Sequence, residues 1–240
     1  SSSSTVVNIF KYDIESCMWS KLPTVVEFSE EKEPFAQGGF RKAFKATSKH
    51  PIYSGEWVIK RYLTNTIQEI QDLGQTAEKH TRKTVQMHML ARNFSLQLEQ
   101  KVKEVNAECY FGEVPKYGKI YYGETEKGEF VTVEGFTDGK FVKYTNNNGA
   151  LCVDESDILD QKAQCLSHFS YEKSTRKVMI LDVQGSGYNL FDPEIASTEL
   201  FDEDDHVLYC AGNLSKEAIE RFTSMHKCNN FCEAIGLTPL

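Results

Sequence analysis

The sequence predicts an α+β protein, and three features of its patterning carry that expectation. Short β-branched and aromatic runs dominate residues 6–62, a helical periodicity takes over at about Thr76, and strands return before a helical C-terminal part. Separate runs of strands and of helices are the pattern of an α+β fold. At 240 residues the chain is long enough for one large domain or for two lobes around a cleft, with ample core.

The elements follow in order. Residues 1–7, beginning with four serines, are expected to be a flexible end, with the folded domain running over 8–240. Val6, Val7, Ile9 and Phe10 mark where extended structure begins, and Thr24 to Phe28 form a short β-branched strand. Pro34 to Arg41 hold a tight Gly38-Gly39 turn that leads into a strand at Lys42 to Ala46. Glu56 to Leu63 read as another strand, with Val58, Lys60 and Tyr62 on one face. From Thr76 to Glu104, Met87, Leu90, Phe94, Leu98 and Val102 recur at helical steps. Strands are expected again at Ala107 to Phe111, Ile120 to Tyr122 and Phe130 to Glu134, and a loop at Asn146 to Gly149. Residues 157–169 are expected to be helical, Val178 to Leu181 a strand, and Glu199 to Asp205 an acidic surface loop. Ser215 caps the last helix, whose buried face is Ala218, Ile219, Phe222 and Met225.

Charge and composition exclude some classes of function. A net charge of −8 argues against a protein held to nucleic acid by phosphate contacts. No apolar run approaches the roughly 20 residues needed to cross a bilayer, so membrane insertion is not expected. The seven cysteines are odd in number and widely spread, which favours a reducing, cytoplasmic compartment with some thiols buried or on metal.

Three stretches carry chemistry. An apolar run ends at Asp182, Gln184 follows two residues later, and the turn residues beyond can fold Asp192 back towards both. Carboxylates and an amide oxygen around one point suit a hard cation such as Mg²⁺ bridging phosphates; the alternative is a buried strand ending in an acidic loop. The Gly38-Gly39 turn lets backbone amides approach a phosphate, and Lys60 in an apolar strand calls for an anionic partner. The alternatives there are a plain hairpin turn and a lysine snorkelling at a sheet edge. Glu78, or another acid on the long helix, is a candidate partner for Lys60. Finally, His226, Cys228 and Cys232 fall within seven residues. On a continuous helix the two cysteines share one face, and His168 is a candidate fourth ligand for a tetrahedral zinc. Free buried cysteines are the alternative.

Phe35-Ala-Gln-Gly-Gly-Phe-Arg41, Trp57-Val-Ile-Lys60, Phe141-Val-Lys-Tyr-Thr-Asn-Asn-Asn-Gly149, Ser167-His-Phe-Ser-Tyr-Glu172, Leu181-Asp-Val-Gln-Gly185, Asp192-Pro193 and His226-Lys-Cys-Asn-Asn-Phe-Cys232 occur in the order found in the alpha-protein kinases. The chain resembles that family from about residue 8 to 240, and the conventional kinase signatures are absent. The resemblance implies a two-lobed protein-kinase-like fold. A β-rich N-lobe (about 8–134) and a mixed C-lobe (about 135–240) would hold ATP in the cleft between them, and the C-lobe would contain a structural Zn²⁺.

Residue by residue, the resemblance implies that Lys60 contacts the ATP phosphates and that Gly38, Gly39 and Arg41 form the phosphate loop. Glu134 and Phe136 match the adenine-binding hinge. Asp182 matches the catalytic aspartate, Gln184 and Asp192 the Mg²⁺ ligands, and His168, His226, Cys228 and Cys232 the zinc ligands. Lys143 matches a regulatory phosphate pocket of some members. One stretch departs: Cys210 to Ser215 keeps Asn213 of a substrate-handling glycine-rich segment but lacks both flanking glycines. The implied activity is Mg-ATP-dependent phosphorylation of Thr or Ser on protein substrates. The alternative is an inactive nucleotide-binding or zinc-stabilised scaffolding domain of the same fold.

Overall fold

A computed structural model describes residues 1–152, 157–197 and 215–240, without the side chain of Ser215. In chain order the first elements are β1 (Ser2–Phe10), β2 (Tyr12–Asp13), β3 (Met18–Trp19), β4 (Thr24–Glu31), β5 (Ala36–Gln37), β6 (Arg41–Lys49) and β7 (Ser54–Tyr62). The helices α1 (Thr64–Asp72), α2 (Ala77–Glu104) and α3 (Glu108–Phe111) follow. Then come β8 (Lys116–Tyr117), β9 (Ile120–Thr125), β10 (Phe130–Gly135), β11 (Phe141–Lys143) and α4 (Ile158–Lys173). The chain ends with β12 (Val178–Leu181), β13 (Gln184–Ser186), β14 (Asn189–Leu190), β15 (Glu194–Ser197), α5 (Ser215–Met225) and α6 (Asn230–Ala234).

Two compact units result, one of Ser1–Met89 with Lys119–Phe136, the other of Leu90–Gly118 with Thr137–Leu240. One change of unit falls between Phe136 and Thr137, near the cut at Glu134 that the resemblance implied, and Leu90–Gly118 is in addition grouped with the second unit. The 28 residues of α2 make a helix about 42 Å long, and its C-terminal half belongs to the second unit.

In the first unit, antiparallel strands run in the order β4-β1-β9-β10-β7-β6-β5, and β4 also pairs with β6, so the sheet closes on itself. Closure leaves β5 as a short edge. Alternation along the strands sends Val7, Ile9, Val26, Phe28, Ile59, Val131 and Val133 to one apolar interior. The other face of β6, β7 and β10 carries Arg41, Lys60 and Thr132. Arg41 lies opposite Tyr62, and Lys60 opposite both Ala43 and Thr132. The N-terminal half of α2 packs there through Val85 against Ile120 and Tyr122. Ser2 to Val7 are paired with β4 (Ser2 opposite Glu31), which corrects the expected flexible end: alternate β4 residues are buried and extend the ladder to the terminus.

In the second unit, α4 is buried along most of its length, and β12 and β15 pair beside it. A second sheet has the order β11-β13-β14-β8. Met179, Leu181 and Ala196 pack on Ala218, Ile219 and Phe222 of α5. Gly149, at φ +85°, lies against that helix so closely that a Cβ would sit 2.0 Å from the Ala218 carbonyl oxygen.

Three expectations are revised. Where a strand was expected at Ala107 to Phe111, Glu108–Phe111 form the helical turn α3, with Ala107 at its start and Gly112 at φ 69° at its end, because so short a run fits either period. The helix α1 was not foreseen; it buries only Thr66 and Ile70, too few apolar positions to register. The last helix breaks. It ends at Met225, and Asn229 in extended conformation caps α6 by accepting from the amides of Phe231 and Cys232, so Cys228 and Cys232 do not share a helix face. Glu199 to Asp205 and the Asn213 stretch lie outside the described residues.

Candidate active site and metal cluster

In the first unit, Lys60 is 9% exposed and its ammonium lies 2.6 Å from the carboxylate of Glu134, itself 7% exposed. A buried ammonium beside a carboxylate answers the desolvation problem that the sequence posed. The partner is thus on β10 and not on α2; Glu78 pairs instead with Arg82, one turn along its own helix. The Glu134 side chain is thus committed to Lys60, which leaves its backbone as the part the hinge expectation concerns. The Phe136 amide donates to the Glu56 carbonyl oxygen at 3.1 Å, and its ring packs edge-on against Phe35.

Arg41 donates from Nη1 to Thr132 Oγ1 at 2.8 Å. In the preceding turn the Gly38 amide donates to the Arg41 carbonyl oxygen. Neither Gly38 nor Gly39 has a positive φ, and a Cβ on Gly39 would meet nothing within 4 Å. The fold itself therefore does not require glycine at these exposed positions, whereas close approach of a ligand would. Tyr62 connects this face to α2, with its hydroxyl 2.8 Å from His80 Nδ1 and 2.9 Å from Thr81 Oγ1. Burial, then the Arg41 and Lys83 cations, push His80 down to about 4.

In the second unit the chain leaves β12 at Asp182, whose φ is 54°, and Asp192 has φ 48°. Non-glycine residues in the left-handed region are uncommon and gather at functional sites. Gln184 Nε2 donates to Asp182 Oδ2 at 3.2 Å and to the Asp192 carbonyl oxygen at 3.0 Å. Asp182 and Gln184 do converge, but by this turn and not by alternation along one strand. With its amide hydrogens engaged, Gln184 keeps its carbonyl oxygen as an oxygen donor suited to a hard cation.

Lys143, opposite Gln184 in the β11–β13 ladder, places its ammonium 2.7 Å from Asp182 Oδ1. Burial raises the Asp182 carboxyl above the ordinary range and Asp192 adds to the rise, while Lys143 and Gln184 oppose it. Buried Tyr117 is pushed up by the same two carboxylates after its own desolvation. A Cβ on Gly185 would lie 2.2 Å from the Asn189 carbonyl oxygen, so glycine is needed for the β13–β14 hairpin to close.

The ligand atoms of His168, His226, Cys228 and Cys232 all lie within 4.8 Å of one another. His168 Nε2 faces the Thr238 carbonyl oxygen at 2.8 Å and must donate to it. Gln164 donates its amide to Asp160, so its oxygen accepts from His226 Nδ1 at 2.8 Å. Both remaining nitrogens, His168 Nδ1 and His226 Nε2, are then bare lone pairs facing each other at 3.3 Å. Two lone pairs at that distance repel unless a cation lies between them, so the four residues fit a metal ion.

The structure thus brings together Asp182, Gln184 and Asp192, and separately the four His and Cys residues. Sequence reasoning missed the pairing of Lys143 with Asp182, which depends on strand register and has no local signal. It also missed Gln164, which stands four residues before His168 on α4 and was open to a helical-spacing argument.

The alpha-kinase family model matches residues 36–232. Myosin heavy chain kinase B of Dictyostelium discoideum is 28% identical over 234 residues, covering 94% of this chain and 27% of the relative. Eukaryotic elongation factor 2 kinase of Caenorhabditis elegans is 24% identical, covering 95% of this chain and 27% of the relative. The chain spans between 15% and 35% of the length of the three Dictyostelium relatives it matches, alpha-protein kinase 1, alpha-protein kinase vwkA and myosin heavy chain kinase B. Among solved structures, the alpha-kinase domain of myosin-II heavy chain kinase A with AMP-PNP superposes at a TM-score of 0.78 with 21% identity, covering 100% of this chain and 97% of that one. The ADP complex of the same domain gives 0.76 and 21%, covering 100% and 98%.

Proposed function

The chain belongs to the alpha-kinase family, and we propose that it is a Mg-ATP-dependent serine/threonine protein kinase domain. The observation that carries this reading is the Asp182–Gln184–Asp192 turn with Lys143 paired to Asp182. Phosphoryl transfer needs positioning and charge neutralisation more than covalent chemistry. Asp182 orients the attacking hydroxyl and takes its proton late in the transfer. Lys143 holds the Asp182 carboxylate anionic against desolvation. The Gln184 and Asp192 side chains supply the oxygen ligands for Mg²⁺, which when bound neutralises phosphate charge.

The first unit supplies the groups that hold the nucleotide. The Gly38-Gly39 amides and the Arg41 guanidinium receive phosphate oxygens, and Lys60 does so with Glu134 as its resting counter-ion. The Glu134–Phe136 backbone faces the adenine edge, for which the bond from the Phe136 amide to Glu56 must open.

His168, His226, Cys228 and Cys232 hold a structural Zn²⁺. Tetrahedral zinc with ordinary bond lengths places two nitrogens about 3.3 Å apart and a nitrogen and a sulfur about 3.6 Å apart. The separations here are 3.3 Å between the imidazoles, 3.6 Å from Cys228 to His168 and 3.7 Å from Cys232 to His226. All four positions are protein ligands, which leaves none open for catalysis. No cysteine among the described residues is in a disulfide, in keeping with an intracellular protein that uses ATP. Among the described residues no helix is long and apolar enough to cross a membrane.

The test is transfer of labelled γ-phosphate from ATP to a basic protein, with and without EDTA. Mg²⁺-dependent labelling supports the reading. ATP-dependent thermal stabilisation without any labelling would instead support the inactive nucleotide-binding alternative.

A further inference from the structure

Lys162, on α4, is 4% exposed and forms no ion pair with a carboxylate among the described residues. Its ammonium donates instead to the Glu113 carbonyl oxygen at 2.9 Å and to the Tyr188 hydroxyl at 3.0 Å. It lies over three rings: 4.9 Å from the centre of Tyr188, 5.3 Å from Phe231 and 5.5 Å from Phe111. A buried cation without a carboxylate is costly unless fixed dipoles and ring faces replace its water, and this cage supplies both.

The cage joins two pieces of machinery. Phe231 immediately precedes the metal ligand Cys232. Tyr188 lies in the turn between β13, which starts at Gln184, and β14, after which the chain reaches Asp192. Within that hairpin Gln184 bonds the Asp192 carbonyl oxygen, and the Phe191 amide returns to the Gln184 carbonyl oxygen at 3.1 Å. Moving the turn therefore moves both side chains. The parallel β14–β8 pairing and the bond from the Lys116 amide to the Tyr188 carbonyl oxygen fix the hairpin backbone, but only the Lys162 bond holds the Tyr188 hydroxyl among the hydrogen bonds described.

We infer that Lys162 is a positioning residue for Gln184 and Asp192, acting through Tyr188 and resting on the kinase reading of that pair. Loss of the Tyr188 bond loosens the oxygen ligands of the cation without touching them. Outer-shell partners of metal ligands commonly account for about tenfold or more in metal affinity.

The test compares the Mg²⁺ concentration for half-maximal transfer at saturating ATP in wild type, Tyr188→Phe and Lys162→Met. Tyr188→Phe removes one hydroxyl and keeps the ring over the ammonium, so it guards against a Lys162→Met protein that does not fold. Expected is a rise of about tenfold in that concentration for both variants, with zinc content still near one per chain. A Tyr188→Phe enzyme with the wild-type Mg²⁺ requirement overturns the inference and leaves Lys162 as packing. A wild type that transfers no phosphate under any Mg²⁺ concentration refutes the kinase reading itself, and the inference with it.

Discussion

Two titrating side chains connect local environment to measurable pH dependence. Asp182 is raised chiefly by burial, and Lys143 opposes the rise. Removing that cation by Lys143→Met should lift the Asp182 carboxyl further, so that activity is lost at a higher pH on acidification than in wild type. A pH profile of kcat at saturating Mg-ATP reads this directly; coincident acid limbs would remove Lys143 from the account. His80 behaves in the opposite sense. Its folded value is pushed down to about 4 from 6.5, so between those limits the unfolded chain binds a proton that the folded chain does not. Stability should fall as pH drops through that window. The urea midpoint should lose part of its slope between pH 4 and 6.5 in His80→Gln. An unchanged slope would assign the acid sensitivity to other groups.

At the scale of elements, the connections between helices and strands decide the outcome. Gly149 must be glycine twice over, for its φ of +85° and for its contact with α5. Gly149→Ala should destabilise the protein by about 3 kcal/mol, as read from a denaturation midpoint, because the helix must move to admit one methyl group. The break between α5 and α6 brings Cys228 and Cys232 together with His168 and His226. Cys228→Ser should bring bound zinc well below one per chain and lower Tm, as elemental analysis and calorimetry would show.

The sequence showed the residues of this cluster plainly, through their clustering and the resemblance, but not the geometry. A helix running through Met225 to Cys232 was the simpler extrapolation, and the Asn229 cap that interrupts it is a local competition that spacing alone does not register. Lys60 was legible as a lysine requiring an anion. Its partner Glu134 was not, because cross-strand neighbours depend on the β7–β10 register.

For the molecule as a whole, the α+β class and the long strands of the closed sheet were legible from their β-branched and apolar runs, with a clean period-two alternation in β4, where one face is buried. The division into units was less so, since a helix as long as α2 carries no sequence mark where it passes from one to the other. The candidate site followed the same rule. Asp182, Gln184 and Asp192 are close in sequence and were found together, whereas Lys143 and the Lys162 cage arrive from distant elements. The proposed phosphoryl transfer depends on one carboxylate, that of Asp182. The most direct measurement is labelled phosphate transfer by Asp182→Asn beside wild type, with ATP binding followed in the same preparations. The account predicts that transfer falls by at least about a thousandfold while ATP binding is kept, since phosphate-holding groups remain. Transfer by Asp182→Asn within about tenfold of wild type would contradict it.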